Sequence, residues 1–198
     1  MTVTCAYVTQ AVLVNFIARL DRGFGRPGRL YLVGETTQVF EGWRPYAPRI
    51  EFTVDIASDD RDRFFRVARG VAEELGVSAN EERPGDVIPL PEGYEGRARS
   101  AAAGAAPKHL ALYHFDPYSV AFRFIARGDE PDYHLVLTYL EHGWITVEEM
   151  KERLSALLPR FTVETIQQDP AEFRRKYKGL LQMWEAVRPR TTHRSTRV

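Results

Sequence analysis

The chain has 198 residues, 44% of them hydrophobic and 12% aromatic, which suffices for one domain with a sizeable core, or one domain with a small helical extension. Its 27 basic and 27 acidic side chains cancel, which removes the simplest argument for a general nucleic-acid binder. Cys5 is the only cysteine, so an intramolecular disulfide is excluded, and no Cys/His spacing matches structural zinc. No stretch reaches the ~18 apolar residues of a membrane span, and the start of the chain lacks a signal-peptide pattern. These features lead to the expectation of a cytoplasmic protein with no membrane association.

Residues 7–20 show helical spacing at Val12, Phe16, Ile17 and Leu20, with Thr9 as N-cap. A connector containing Gly23, Gly25, Pro27 and Gly28 leads to a short apolar strand, Leu30 to Val33, which ends at Gly34. Residues 35–43 can make two helical turns. After a proline-containing loop, Ile50, Phe52, Val54 and Ile56 alternate with Glu51, Thr53, Asp55 and Ala57, the mark of a half-buried strand. Alternation places Glu51, Thr53 and Asp55 on the exposed face and Phe52, Val54 and Ile56 on the buried one.

An amphipathic helix follows over residues 59–77. It carries Phe64, Phe65, Ala68, Val71, Ala72 and Leu75 on one side, acids at its start and Gly76 at its end. Residues 80–108 are irregular, with a short strand expected at 86–90 and an Ala-rich loop after it. The stretch 109–115 reads as a strand. Asp116 and Pro117 then cap a helix over 118–127, and a second helix covers 132–142 beyond a break at Gly128 to Pro131. Thr146 and Glu149 form a capping box for the next helix. Asp169 and Pro170 open a long last one, with Phe173, Tyr177, Leu180, Leu181 and Trp184 facing inward. Residues 188–198 carry four arginines and no acid, and read as a loose basic terminus. The fold expected is α/β (α+β): a small mixed sheet with helices on it over residues 1–117, a helical section over 118–187, and the basic tail over 188–198.

The sequence from Leu30 to Ala57 resembles the entry motif of nucleotidyltransferase-fold proteins, in particular AbiEii toxin-like proteins. That pattern runs strand, Gly-Gly or Gly-Ser turn, short helix, loop, and a strand ending Thr-x-Asp-Ile-Asp. Gly34, Thr53, Asp55 and Ile56 match it. Glu35 replaces the second small turn residue, and Ala57 replaces the second aspartate. Further on, Asp116, Pro117, Arg127 and Asp132 match a second phrase of the family. There Phe124 stands at the lysine position, beside Arg123, and Leu135 at the second acid. The resemblance implies a triphosphate cradled by the glycine turn and Mg²⁺ shared by carboxylates on one strand face.

The candidate nucleotide-binding residues are therefore Gly34, Glu35, Thr53, Asp55, Arg123 and Arg127, and the candidate metal ligand is Asp55. The cofactors the resemblance implies are Mg²⁺ and a nucleoside triphosphate. One lone aspartate is a poor two-metal site, and Glu35 would repel phosphate. Glu51 lies ~13 Å along the strand from Asp55, too far to take the place of Ala57. The expectation is a nucleotidyltransferase-like protein with a degraded site, non-catalytic or only nucleotide-binding. Two alternatives stay open. One is an active toxin-type enzyme of a toxin–antitoxin system, transferring a nucleotidyl group to RNA or protein. The other is a structural module that binds a protein partner. Among the histidines, none has metal-ligand spacing.

Overall fold

The computed structural model describes residues 7–101, 107–161 and 168–187. The first helix, α1 (Gln10–Phe24), starts where Thr9 Oγ1 accepts a hydrogen bond from Val12 N, and stops at Gly25 in the left-handed region. It runs beyond the expected residue 20 because Arg22 and Gly23 continue the helix and Gly25 ends it. The strand β1 (Gly28–Leu32) leads through Val33 and Gly34 into α2 (Glu35–Phe40), a short helix cut off by Gly42 at positive φ. Next come β2 (Ile50–Asp55), a single 3₁₀ turn at Ser58–Asp60, and α3 (Arg61–Leu75), ended by left-handed Gly76.

Two short strands absent from the sequence reading complete the sheet: β3 (Ala79–Glu81) and β4 (Arg99–Ser100). The strand expected at 86–90 does not form. Pro84, Pro89 and Pro91 withhold the donors that a ladder needs, and the chain instead makes 3₁₀ turns at Pro84–Asp86 and Tyr94–Arg97. The last strand is β5 (Leu110–His114). Strand order is β3-β2-β1-β5-β4, with β1 antiparallel to β2 and parallel to β5, so the sheet is mixed and the α+β class is observed.

Four further helices are described: α4 (Pro117–Arg127), α5 (Glu130–Glu141), α6 (Val147–Leu157) and α7 (Pro170–Val187). Asp116 caps α4 by accepting from Tyr118 N and Ser119 N, and Thr146 Oγ1 caps α6 by accepting from Glu149 N. Pro131 sits inside the first turn of α5, where its missing N–H costs nothing, so that helix begins two residues before the expected start. The basic tail and most of the Ala-rich tract lie outside the described residues. None of the described helices is long and apolar enough to cross a membrane.

Buried apolar side chains fall into two clusters. One joins α1 and α3 to the inner sheet face through Leu30, Leu32, Phe52, Val54, Leu110 and Leu112. The other joins α4 to α7 and takes in Val33 and Ile88. Register fixes the opposite sheet face, because Arg29 pairs with Asp55, and Tyr31 with Thr53 and Tyr113. That face carries the residues of chemical interest.

Candidate functional site: a charged cluster beside an open cleft

The Gly34 turn is crowded. Gly34 has φ +59°, and a Cβ there would stand 2.7 Å from Glu51 Oε2 and 3.0 Å from the Phe124 ring. The backbone pins the start of β2 against this turn: Glu51 N donates to Thr36 Oγ1 at 2.7 Å, and Val33 N donates to the Glu51 carbonyl at 3.1 Å. The Glu51 side chain therefore turns under the Gly34 loop, and the residue is only 5% exposed. Its expected place on the solvent face is corrected here. Phe52 and Val54 are buried as alternation requires, and Ile56 is half-buried.

Burial pushes the Glu51 carboxyl above its usual pKa, and the Glu82 charge adds to this; the hydrogen bond from Arg49 and the Arg49 and Arg123 charges oppose it. Around it each acid has a basic partner. Arg49 Nε donates to Glu51 Oε1 at 3.1 Å, and Arg44 lies 3.2 Å from Glu35. Arg123 is paired with Glu82, and Arg127 lies 3.0 Å from Asp132. Arg123 is 8% exposed, and two of its nitrogens, Nε and Nη1, have no hydrogen-bond partner. Asp132 is pushed up by burial, with Arg127 opposing, and feels the charges of Arg123 and Glu35 as well.

Asp55 lies elsewhere. It pairs in register with Arg29, at the start of β1, whereas Gly34 follows the end of that strand. Five residues of strand separate the two ends, roughly 17 Å. Its carboxylate is 67% exposed, 3.8 Å from the Arg29 guanidinium. Thr53 and Asp55 line an open cleft of about 570 Å³, together with Tyr31, Tyr94 and Phe115. Tyr31 and Phe115 meet edge to face at 5.8 Å. The structure thus brings Gly34 and Arg123 to Glu51, sets Glu35 and the Arg127–Asp132 pair beyond them, and leaves Thr53 and Asp55 in the neighbouring cleft. Neither helix arginine forms an ion pair with Asp55: Arg123 goes to Glu82 and Arg127 to Asp132.

Mg²⁺ needs octahedral oxygen ligands, normally with one or two carboxylates anchoring it. Among the described residues no group of three His, Cys, Asp or Glu side chains could hold a metal ion. Asp55 lies beside the Arg29 guanidinium, Asp116 in the same cleft is held by Arg97, and the acids at the Gly34 turn are paired with arginines. The donor set does not fit the two-metal arrangement that the motif implied.

Two features escaped the sequence reading. His114 is buried, with Nδ1 3.3 Å from Thr37 Oγ1 and Nε2 2.8 Å from Glu41 Oε1. Burial, and then the Arg99 charge, push its pKa down to about 4, so the ring is neutral at neutral pH even beside Glu41; burial pushes Glu41 itself up. Asp21 on α1 accepts backbone hydrogen bonds from Lys108, His109 and Leu110 at 2.8–2.9 Å, tying the helix to the start of β5. Comparison with family models, with curated proteins and with solved structures finds no match to the chain.

Proposed function

We propose that the chain is a nucleotidyltransferase-like protein that acts by binding rather than by nucleotidyl transfer. The observation that carries this reading is the pairing of every acid at the Gly34 turn with an arginine: Glu35 with Arg44, Glu51 with Arg49, Glu82 with Arg123 and Asp132 with Arg127. A carboxylate beside a guanidinium has its charge offset, although Glu35 Oε2 and Asp132 Oδ2 make no hydrogen bond. To bind Mg²⁺ it must first surrender that partner. With four acids matched by four arginines, the turn also has no net positive charge to attract a triphosphate. Any nucleotide affinity therefore belongs to the open cleft at Thr53 and Asp55, where aromatic rings offer stacking surfaces.

The test is incubation of the purified protein with labelled nucleoside triphosphates, Mg²⁺ or Mn²⁺, and total RNA or cell extract. The expected result is no label on RNA or protein. Reproducible transfer that disappears in Asp55→Ala would overturn the reading and establish the active toxin-type enzyme instead.

A further inference from the structure

Away from the Gly34 turn, three arginines meet at one hollow of about 470 Å³. Arg97 comes from the 3₁₀ turn at Tyr94–Arg97, Arg99 from β4 and Arg153 from α6. The walls include the first turns of two helices, α4 at Tyr118 and α6 at Thr146 and Glu149. Two guanidinium groups sit over aromatic rings: Arg153 lies 4.5 Å over Tyr118, and Arg99 4.5 Å over Trp144. Stacking of this kind orients the donor edge of an arginine at little entropic cost.

The three are engaged to different degrees. Arg97 is committed to structure: Nε and Nη2 donate to Asp116 at 2.9 and 3.0 Å, and Nη1 donates to the Glu92 carbonyl. Arg153 reaches Glu149 through Nη2 at 3.3 Å, and its Nε has no hydrogen-bond partner. Glu149 is itself held by the Tyr118 hydroxyl. Arg99 is exposed and makes its contact with the Trp144 ring; the Glu41 charge acts on it only through space. Asp116, Glu149 and, through space, Glu41 balance the three guanidinium groups, and the N-terminal ends of α4 and α6 add positive partial charge.

An exposed forked donor over an aromatic ring, a second arginine across the hollow and two helix N-termini are the complement of a tetrahedral oxyanion. We propose that this hollow binds the phosphoryl group of a small molecule, with Arg99 and Arg153 making the contacts and Arg97 positioning Tyr118 and the α4 cap. This site is separate from the Gly34 turn and does not depend on the reading of that turn.

The test is calorimetric titration of the metal-free protein, in a chelator, with inorganic phosphate and with glycerol 3-phosphate. Citrate at matched ionic strength is the carboxylate control. Saturable binding of a phosphoryl compound is expected, weakened about tenfold or more in Arg99→Ala and in Arg153→Ala, the loss that removing a charged hydrogen bond produces. Arg99→Lys should retain part of it. Tighter binding of the ester points to an organic phosphate as the source, and equal or tighter binding of phosphate to the free ion; both support the site. Absence of saturable binding, binding unchanged in Arg99→Ala, or equal binding of citrate would overturn the proposal. Arg99 is on the surface, so its variants keep the fold and the comparison stays readable by circular dichroism. Nucleotidyl transfer plays no part in the readout, so the outcome is independent of the experiment above.

Discussion

Oε2 of Glu51 lies 2.7 Å from the point where a Cβ on Gly34 would stand. Glycine is thus demanded twice at this position: by a backbone with φ +59° and ψ −127°, which side chains disfavour, and by the acid and the Phe124 ring against it. Gly34→Ala is expected to destabilise the fold by roughly 2 kcal/mol or more. Urea denaturation measures this, and a variant as stable as the parent would refute the crowding of the turn.

Glu51 should leave a signature in the pH dependence of stability. Its folded pKa lies above the usual 4.5. The native state therefore keeps this proton at pH values where the unfolded chain has lost it, and stability falls as pH rises from about 4.5 into the raised range. Glu51→Gln stays neutral throughout. Its thermal midpoint should fall less than that of the parent over this window. Glu41 and Asp132, also raised, are present in both proteins and cancel in the difference. Parallel profiles would contradict the buried, raised carboxyl.

His114 gives the opposite slope. Its folded pKa is about 4 against the usual 6.5, so the unfolded chain takes up a proton first as pH falls. The stability it contributes is complete above pH 6.5 and is lost as pH falls toward 4. An NMR titration of the ring should give a midpoint well below the ordinary histidine value. A midpoint at or above that value would show that the Glu41 charge outweighs burial.

Asp21 tests a contact outside the motif. Burial pushes its pKa up, but the hydrogen bonds from Leu110, Lys108 and His109 outweigh this and leave it below the usual 3.8. Asp21→Asn puts an amide NH₂ where an acceptor is needed and strands at least one backbone N–H. A loss of about 2 kcal/mol is expected by chemical denaturation. An unchanged midpoint would show that the bonds contribute nothing net.

Local signals were legible in the sequence wherever a single residue type fixes the backbone. Thr9, Gly76, Asp116, Thr146 and Gly128 all cap or break helices as read. Alternation along β2 also located its core side. What alternation does not reveal is which part of the other face a later element covers. Glu51 and Asp55 share a strand face, yet the Gly34 turn and α4 bury the first and leave the second in solvent. Three of the arginines that hold the acids are near them in sequence, and one comes from across the chain. Arg123 is 41 residues from Glu82, a partnership that no local spacing encodes. The edge strands β3 and β4 are too short to carry a pattern.

The central claim is that the acids near Gly34 are held by arginines rather than free for a metal. The most direct measurement is a titration of the protein with Mn²⁺ in the presence of ATP, followed by electron paramagnetic resonance. No saturable protein-dependent Mn²⁺ site is expected, in the parent or in Glu51→Gln. Stoichiometric Mn²⁺ binding in the parent that is lost in Glu51→Gln or Asp55→Ala would contradict the account.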